Sequence, residues 1–377
     1  MNRIGIFVFY DAGGIVDNYI EILLDSLSEI IKKLIIIVNG KINPLGYHKF
    51  KKYTKDIFIR DNYGYDAGAY KDALLKFLSH ENWKIWDEII LFNDTFYAPI
   101  YPWEPIFKQM EAKKSDFWGL SRHPECRSVN NTNINIPSHI QAYFLVCKKS
   151  MFLSNYWLEF WNNLDFPKIH QEAIKNFEID FSVFFSKKGF AGIALTDTYQ
   201  IKMNCEKNPY ASYSYELIKY GKFPIIKRKA IMLYYFAEAK RAICYIKSET
   251  NYDINYIILH LERLIQEKNI NVLEPFEQDK LEIFYRTHKN IYIYGHGQYG
   301  KGMATYFEYR EWKYKAFIVT QNTENNANLS VYKDIHFEKE DGVILALCEA
   351  AFTEVYPQIK SELDESQLYY PDYSLKN

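Results

Sequence analysis

Two short stretches of this sequence carry residue types whose spacing suits chemistry at one edge of a sheet. The first is Asp61-Asn62-Tyr63-Gly64-Tyr65-Asp66-Ala67-Gly68-Ala69-Tyr70, and the second is Phe92-Asn93-Asp94-Thr95. An Asn-x-Gly turn opens a helix in the first, and a strand ends on an acid in the second. In an α/β chain that order brings turn, helix start and acid to the carboxyl edge of one sheet, where a nucleotide-linked substrate can be held. Asn62 and Gly64 also suit a helix-entry turn for backbone reasons alone, and Asp66 stands where an N-cap would. Far downstream, Gly295-His296-Gly297-Gln298-Tyr299-Gly300 is a full GxGxxG between a strand-like run and a helical one. That context lets backbone amides and a helix start hold a pyrophosphate, with Gly295, Gly297 and Gly300 as the binding positions. About 20 residues later, where a dinucleotide site carries an acid for the ribose, the sequence has Thr320-Gln321. The segment also offers too few strand-like runs for a complete dinucleotide domain. An NAD-dependent oxidoreductase is disfavoured, leaving a nucleotide-binding half-domain or one serving assembly.

Composition bounds the classes available. The chain has 377 residues, enough for two or three domains. With 46 Lys+Arg against 47 Asp+Glu, it shows no basic surplus for nucleic acid. Aromatics reach 18%, with 33 Tyr, which excludes a disordered chain and suits either a Tyr-rich core or carbohydrate contact. The five Cys are scattered without a CxxC pair, so neither a zinc site nor a disulfide framework is indicated. No signal-like h-region follows Met1, and no apolar run is long enough to span a bilayer. The expectation is a cytoplasmic protein, soluble or peripheral at the inner face of the plasma membrane.

The elements that must position these groups follow from periodicity. Runs 4–10, 34–38, 57–60 and 88–92 read as strands, and 16–33 and 67–78 as helices. Further strands are expected at 116–120 and 142–147, and a helix over 177–188 that stops at Gly189. This alternation implies βαβ units and a mainly parallel sheet. From about residue 229 long helical stretches (230–248 and 254–268) lead to a second strand–glycine–helix unit. The expected organisation is a domain over 1–235, a helical connector over 236–288 and a small Rossmann-like α/β module over 289–377. The polar loop at 321–329 is the nearest approach to low complexity.

Five strings, in order, resemble the rhamnan-synthesis F family of bacterial glycosyltransferases. They are Ile-Ile-Leu-Phe-Asn-Asp-Thr-Phe-Tyr-Ala-Pro at 89–99; Asp116-Phe117-Trp118-Gly119; His139-Ile140-Gln141-Ala142-Tyr143-Phe144; Asn176-Phe177-Glu178 with Gly189-Phe190; and Phe223-Pro224-Ile225-Ile226-Lys227. The resemblance implies a GT-A-like fold with a mixed, mainly parallel sheet. It implies transfer of a sugar, typically L-rhamnose from dTDP-L-rhamnose, onto a cell-surface polysaccharide or lipid-linked glycan. A catalytically weakened nucleotide-sugar-binding or regulatory protein is the alternative.

On that resemblance, Asp11, Asn62, Gly64, Asp66, Asn93, Asp94 and Lys227 are donor-binding residues. Asn93-Asp94-Thr95 stands where such enzymes carry Asp-x-Asp, whose carboxylates hold a divalent cation against the diphosphate. Asn in first place and Thr in third imply that Mg²⁺ or Mn²⁺, with Asp94 as ligand, is weakly held or replaced by Lys or Arg. Glu178 and Asp180 are candidate bases for the acceptor hydroxyl, Glu178 as the start of its helix. Two residues apart on a helix, they point about 200° from each other, so only one faces the site. Trp118 is expected as a sugar-stacking platform or a core strand end, and His139 and Gln141 as acceptor or phosphate contacts. The basic run Lys227-Arg228-Lys229 reads either as a solvated edge or as a patch meeting anionic lipid.

Overall fold

The computed structural model describes residues 1–127, 135–197, 210, 213–231, 236–266, 275–309, 311–321, 329–347 and 349–370. The apolar run 232–235 and most of the polar loop 321–329 lie outside them. The chain forms two compact units, one of Met1–Arg228 with Tyr245–His260 and one of Lys229–Cys244 with Leu261–Asn377.

In the first unit, apolar runs too continuous for a half-exposed strand become the centre of a sheet. β1 (Arg3–Phe9) is buried at every position, as is β4 (Glu88–Asn93), and β2 (Lys33–Asn39) is buried along its last five residues. Strands buried on both faces are the mark of a parallel sheet covered by helices. β3 is Ile57–Arg60, β5 Phe96–Tyr97, β6 Phe117–His123, β7 Cys126–Arg127, β8 Asn135–Ile136, β9 His139–Ile140, β10 Phe144–Lys148, β11 Gly192–Asp197 and β12 Ile226–Lys227. The main sheet runs β11-β6-β10-β4-β1-β2-β3, with β9 added beside β6. All its neighbours along the main path are parallel except β10, antiparallel to both β4 and β6. This is the mixed, mainly parallel sheet expected. Among the described residues β7 and β8 pair only with each other, and β5 pairs with β12.

The helices α1 (Asn18–Leu27), α2 (Pro44–Lys51), α3 (Tyr65–Asp72), α4 (Trp103–Glu111), α5 (Lys149–Phe152), α6 (Asn155–Asn163), α7 (His170–Ala173) and α8 (Asp180–Lys187) cover the sheet. Much of the aromatic content is spent in the core: Trp157, Phe160, Trp161, Phe177, Phe181 and Phe185 from α6, α8 and the turn before α8 form one cluster with Ala67, Tyr70 and Leu74. Two expected helices are interrupted. α3 passes into a π-turn over Ala73–Phe77, and α8 is preceded by another over Ile174–Ile179. Glu178 therefore sits inside a wide turn, not at a helix start.

The second unit contains helices Phe236–Glu249, Asn255–Gln266 and Pro275–Thr287 in whole or part, then a sheet of five parallel strands. β13 (Asn290–Tyr294), β14 (Ala316–Val319), β15 (Leu329–Val331), β16 (Asp341–Leu345) and β17 (Leu368–Tyr369) lie in the order β15-β14-β13-β16-β17. β15 and β17, of three and two residues, are too short to show a period in sequence, and they bring the sheet to five strands, one fewer than the six-strand dinucleotide fold. The glycine-rich turn follows β13 and leads into the helix Gln298–Tyr309. A Cβ at Gly300 would lie 1.8 Å from the Gly295 carbonyl oxygen, so only glycine allows that helix to pack on the turn.

Candidate active site at the carboxyl edge of β1 and β4

The helix-entry turn is built as its residues dictate. Gly64 has φ +72°, and a Cβ there would meet Phe166 Cδ1 at 2.6 Å. This bend starts α3 so that Asp66 faces the end of β4. Asp66 Oδ1 accepts from its neighbour's amide, Ala67 N, at 2.9 Å, and Oδ2 accepts from Asn93 Nδ2 at 2.9 Å. Asn93 closes β4, and its Oδ1 accepts from Thr95 N (3.2 Å) and Thr95 Oγ1 (2.7 Å). Thr95 Oγ1 in turn accepts from Lys227 Nζ at 2.9 Å.

Lys227 arrives from far along the chain because β12 pairs antiparallel with β5, setting Lys227 opposite Phe96. Its ammonium lies 3.7 Å from the centre of the Tyr143 ring. Arg228, next in sequence, donates from Nη1 to Asp94 Oδ2 at 3.0 Å, to the Asp94 carbonyl at 3.4 Å and to the Tyr19 hydroxyl at 3.3 Å. Tyr19, from α1, donates to the same carbonyl at 3.2 Å. Asp11, in the turn after β1, accepts through Oδ1 from Gly13 N and Ile15 N at 2.9 and 2.8 Å, and its charge reaches both Asp94 and Arg228.

The acids of this edge are unequal. Burial pushes Asp94 up to about 6, with Arg228 drawing it back down. Burial also raises Asp66, opposed by the Asn93 and Ala67 hydrogen bonds and reinforced by the charge of Glu178. Glu178 is desolvated too, but the contact with His139 and the Ala142 amide outweigh that and hold it below the usual range. Its Oε2 accepts from Ala142 N at 3.0 Å, and its Oε1 lies 3.4 Å from His139 Nε2. His139 Nδ1 is 2.8 Å from the Pro137 carbonyl, which can only accept, so Nδ1 carries a hydrogen. Nε2, the other ring nitrogen, is the one that faces the Glu178 carboxylate. His123 stacks on His139 at 5.0 Å, and burial followed by the charge of His139 lowers it.

The structure thus brings together Asp11, Asp66, Asn93, Asp94, Lys227, Glu178 and His139, with Gly64 shaping the turn. Others go elsewhere. Asp180 is exposed and borders a separate cavity of about 420 Å³ with Lys187 and Glu159, whose lining does not include Glu178. Trp118 is corrected as a sugar platform: it is 1% exposed, with Phe107 at 5.1 Å and Phe144 at 6.1 Å, so it has no face to offer. Gln141 is buried and accepts from Ser121 Oγ, which also meets the Tyr143 hydroxyl at 2.5 Å; it braces the ring beneath Lys227. Asn62 is exposed and makes none of these contacts. Arg228 belongs in sequence to a basic run that suits a solvated edge or a lipid-facing patch. Together with Lys227 it points into the acid cluster instead, and its only sequence signal was adjacency to the Phe-Pro-Ile-Ile-Lys string.

The residues do not fit a divalent ion. Asn93 has both side-chain atoms committed, Asp66 has both oxygens hydrogen-bonded, and the Asp94 carboxylate is paired with a guanidinium. Among the described residues no group of three or more His, Cys, Asp or Glu has metal-binding geometry. No described helix is long and apolar enough to cross a membrane.

Comparison with known proteins adds the family. The model described as rhamnan synthesis protein F matches residues 34–348. The uncharacterized protein y4gN of Sinorhizobium fredii (strain NBRC 101917 / NGR234) is 23% identical over 188 residues, which are 49% of this chain and 46% of that protein. The chain thus spans about half the length of that curated relative. Among solved structures, 4-diphosphocytidyl-2C-methyl-D-erythritol synthase from Anaerococcus prevotii aligns at 10% identity with a TM-score of 0.34, covering 52% of this chain and 87% of that one. Core-mannan synthase A from Aspergillus fumigatus, in an Mn/GDP form, aligns at 10% identity with a TM-score of 0.26, covering 49% and 69%. Likeness at these scores carries no argument about function.

Proposed function

This chain belongs to the rhamnan synthesis protein F family, and from that premise we propose that it is a glycosyltransferase of polysaccharide synthesis acting on a nucleotide-activated sugar. The observation that carries the reading is the chain of contacts Asp66–Asn93–Thr95–Lys227, which joins the helix-entry turn, the end of β4 and β12 into one polar surface. Donor binding falls to Asp11, Asp66, Asn93, Asp94 and Lys227, with dTDP-L-rhamnose the leading donor. Acceptors are a cell-surface polysaccharide or a lipid-linked glycan, which suits an enzyme at the inner face of the membrane.

In the proposed step the acceptor hydroxyl oxygen bonds to the anomeric carbon. The bond from that carbon to the diphosphate oxygen breaks, and its electron pair leaves with the diphosphate. Glu178 takes the hydroxyl proton, its carboxylate kept ionised by His139 and the Ala142 amide. Most of the acceleration comes from positioning and fixed charge. Glycine positions 295, 297 and 300 are assigned to nucleotide binding in the second unit, as a separate ligand site.

A thermal-shift panel of nucleotide sugars, followed by transfer to glycan acceptors with the sugar that binds, tests the reading. The expected result is stabilisation by one sugar nucleotide and formation of a glycan product. Stabilisation without hydrolysis or transfer supports instead the second reading, a nucleotide-sugar-binding regulator, which the replacement of Asp-x-Asp by Asn93-Asp94-Thr95 favours.

A further inference from the structure

We propose that Lys227 and Arg228 form a cation pair that binds the donor's diphosphate in place of a divalent metal ion, so that nucleoside diphosphates bind this edge without metal. The inference rests on the donor-site reading above. It starts from two neutral positions: Asn93 and Thr95 occupy the places where carboxylates would hold a metal, and neither side chain supplies a negative charge. Beside the second of them the structure already sets a positive charge, with Lys227 Nζ 2.9 Å from Thr95 Oγ1. The acid between them, Asp94, is engaged with Arg228 Nη1 at 3.0 Å. A divalent ion arriving here would have to displace a guanidinium and stand next to an ammonium, both of which repel it.

The pair is built to hold an anion. Among the described residues every side-chain hydrogen bond of Arg228 leaves from Nη1, towards Asp94 and Tyr19, and Nε and Nη2 donate to no protein group. Those two atoms form the planar fork that matches two phosphate oxygens. Lys227 supplies a point charge one residue away, braced over the Tyr143 ring at 3.7 Å, which Ser121 and Gln141 anchor from behind. The β5–β12 pairing and the bond from Arg228 N to the Thr95 carbonyl at 3.0 Å fix both cations to the end of β4. The charges of Asp94 and Asp11 reach Arg228, and the charge of Lys227 reaches Asp66 and Glu178.

The test is calorimetric binding of UDP, dTDP and GDP to the full chain, in EDTA and again with added Mg²⁺ or Mn²⁺. The expected result is that one diphosphate binds in EDTA with an affinity unchanged by metal. Lys227→Gln and Arg228→Lys should each weaken it by about tenfold or more, the loss set by one charge-assisted contact. Arg228→Lys keeps the charge and removes only the fork. Circular dichroism confirms folding, and Lys227→Gln, which breaks no ion pair with Asp94, decides the matter if the Arg228 variant does not fold. Binding only after metal is added overturns the cation pair while leaving the donor-site reading intact. Binding in EDTA that neither variant weakens places the diphosphate elsewhere and overturns it as well. Absence of diphosphate binding under every condition overturns both.

Discussion

Replacing Asp94 by Asn should change how the stability of the first unit depends on pH, by an amount that follows from the site. Asp94 is 6% exposed, and burial pushes its carboxyl from an ordinary 3.8 to about 6 despite the guanidinium of Arg228. An acid with a raised folded pKa holds its proton more tightly when folded. Its stabilising contribution is therefore complete below the unfolded value and is lost as pH rises through the folded one. At about 1.36 kcal/mol per unit, the rise from 3.8 to about 6 amounts to roughly 3 kcal/mol. Asn has no such proton, so the variant escapes the loss. The quantity to follow is the unfolding free energy of Asp94→Asn minus that of the parent, by denaturant titration from about pH 4 to about pH 8. Tryptophan fluorescence suits the purpose, because Trp83, Trp86, Trp103, Trp118, Trp157 and Trp161 lie in the first unit and Trp312 alone in the second. Subtraction cancels the titrating groups the two proteins share. Over that range the difference should climb by roughly 2.5 kcal/mol, at no more than about 1.4 kcal/mol per pH unit, and level off above the folded pKa. Its offset reflects the lost contact with Arg228, whereas its slope reflects desolvation. A flat difference, or one that falls as pH rises, would refute the description of Asp94 as an acid whose burial outweighs its pairing with Arg228.

Other outcomes follow from the same geometry. Glu178→Gln should lower kcat for transfer by about 100-fold or more with little change in donor KM, the range for loss of a general base; a rate close to that of the parent would remove Glu178 from the mechanism. Gly64→Ala should destabilise the first unit by at least about 1 kcal/mol, since the left-handed backbone alone costs about that much for an L-residue and Phe166 leaves no room for the methyl. An unchanged Tm would argue against the turn as described. Trp118→Ala should cost about 3–5 kcal/mol, as for a large aromatic removed from a core. Weakened donor or acceptor binding at undiminished stability would restore it as a sugar platform.

Much of the fold was legible because β1, β2 and β4 are apolar at nearly every position, and such runs separated by amphipathic helices have few arrangements besides a covered parallel sheet. The edge strands β15 and β17 were not legible, since two or three residues carry no period. Nor were the π-turns before α8 and after α3, because a one-residue change in helical register leaves composition untouched. For the site, residue types on either side of one turn were enough to nominate Asp66, Asn93 and Asp94. The opposed directions of Glu178 and Asp180 followed from helical geometry, but which of them faces inward did not.

The sequence by itself determined the helix-entry turn, the neutral first and third positions at 93 and 95, and the α/β alternation that sends them to one edge. These are local properties of backbone preference and hydrophobic period. The tertiary structure alone decided what stands opposite them. Arg228 meets Asp94 across 134 residues of chain, and Lys227 meets Thr95 across 132, through the pairing of two-residue strands that no local pattern announces. Trp118, equally suited in sequence to a sugar or a core, was assigned to the core by Phe107 and Phe144. Local sequence sets what a side chain is able to do; long-range packing sets the charge and the solvent it meets.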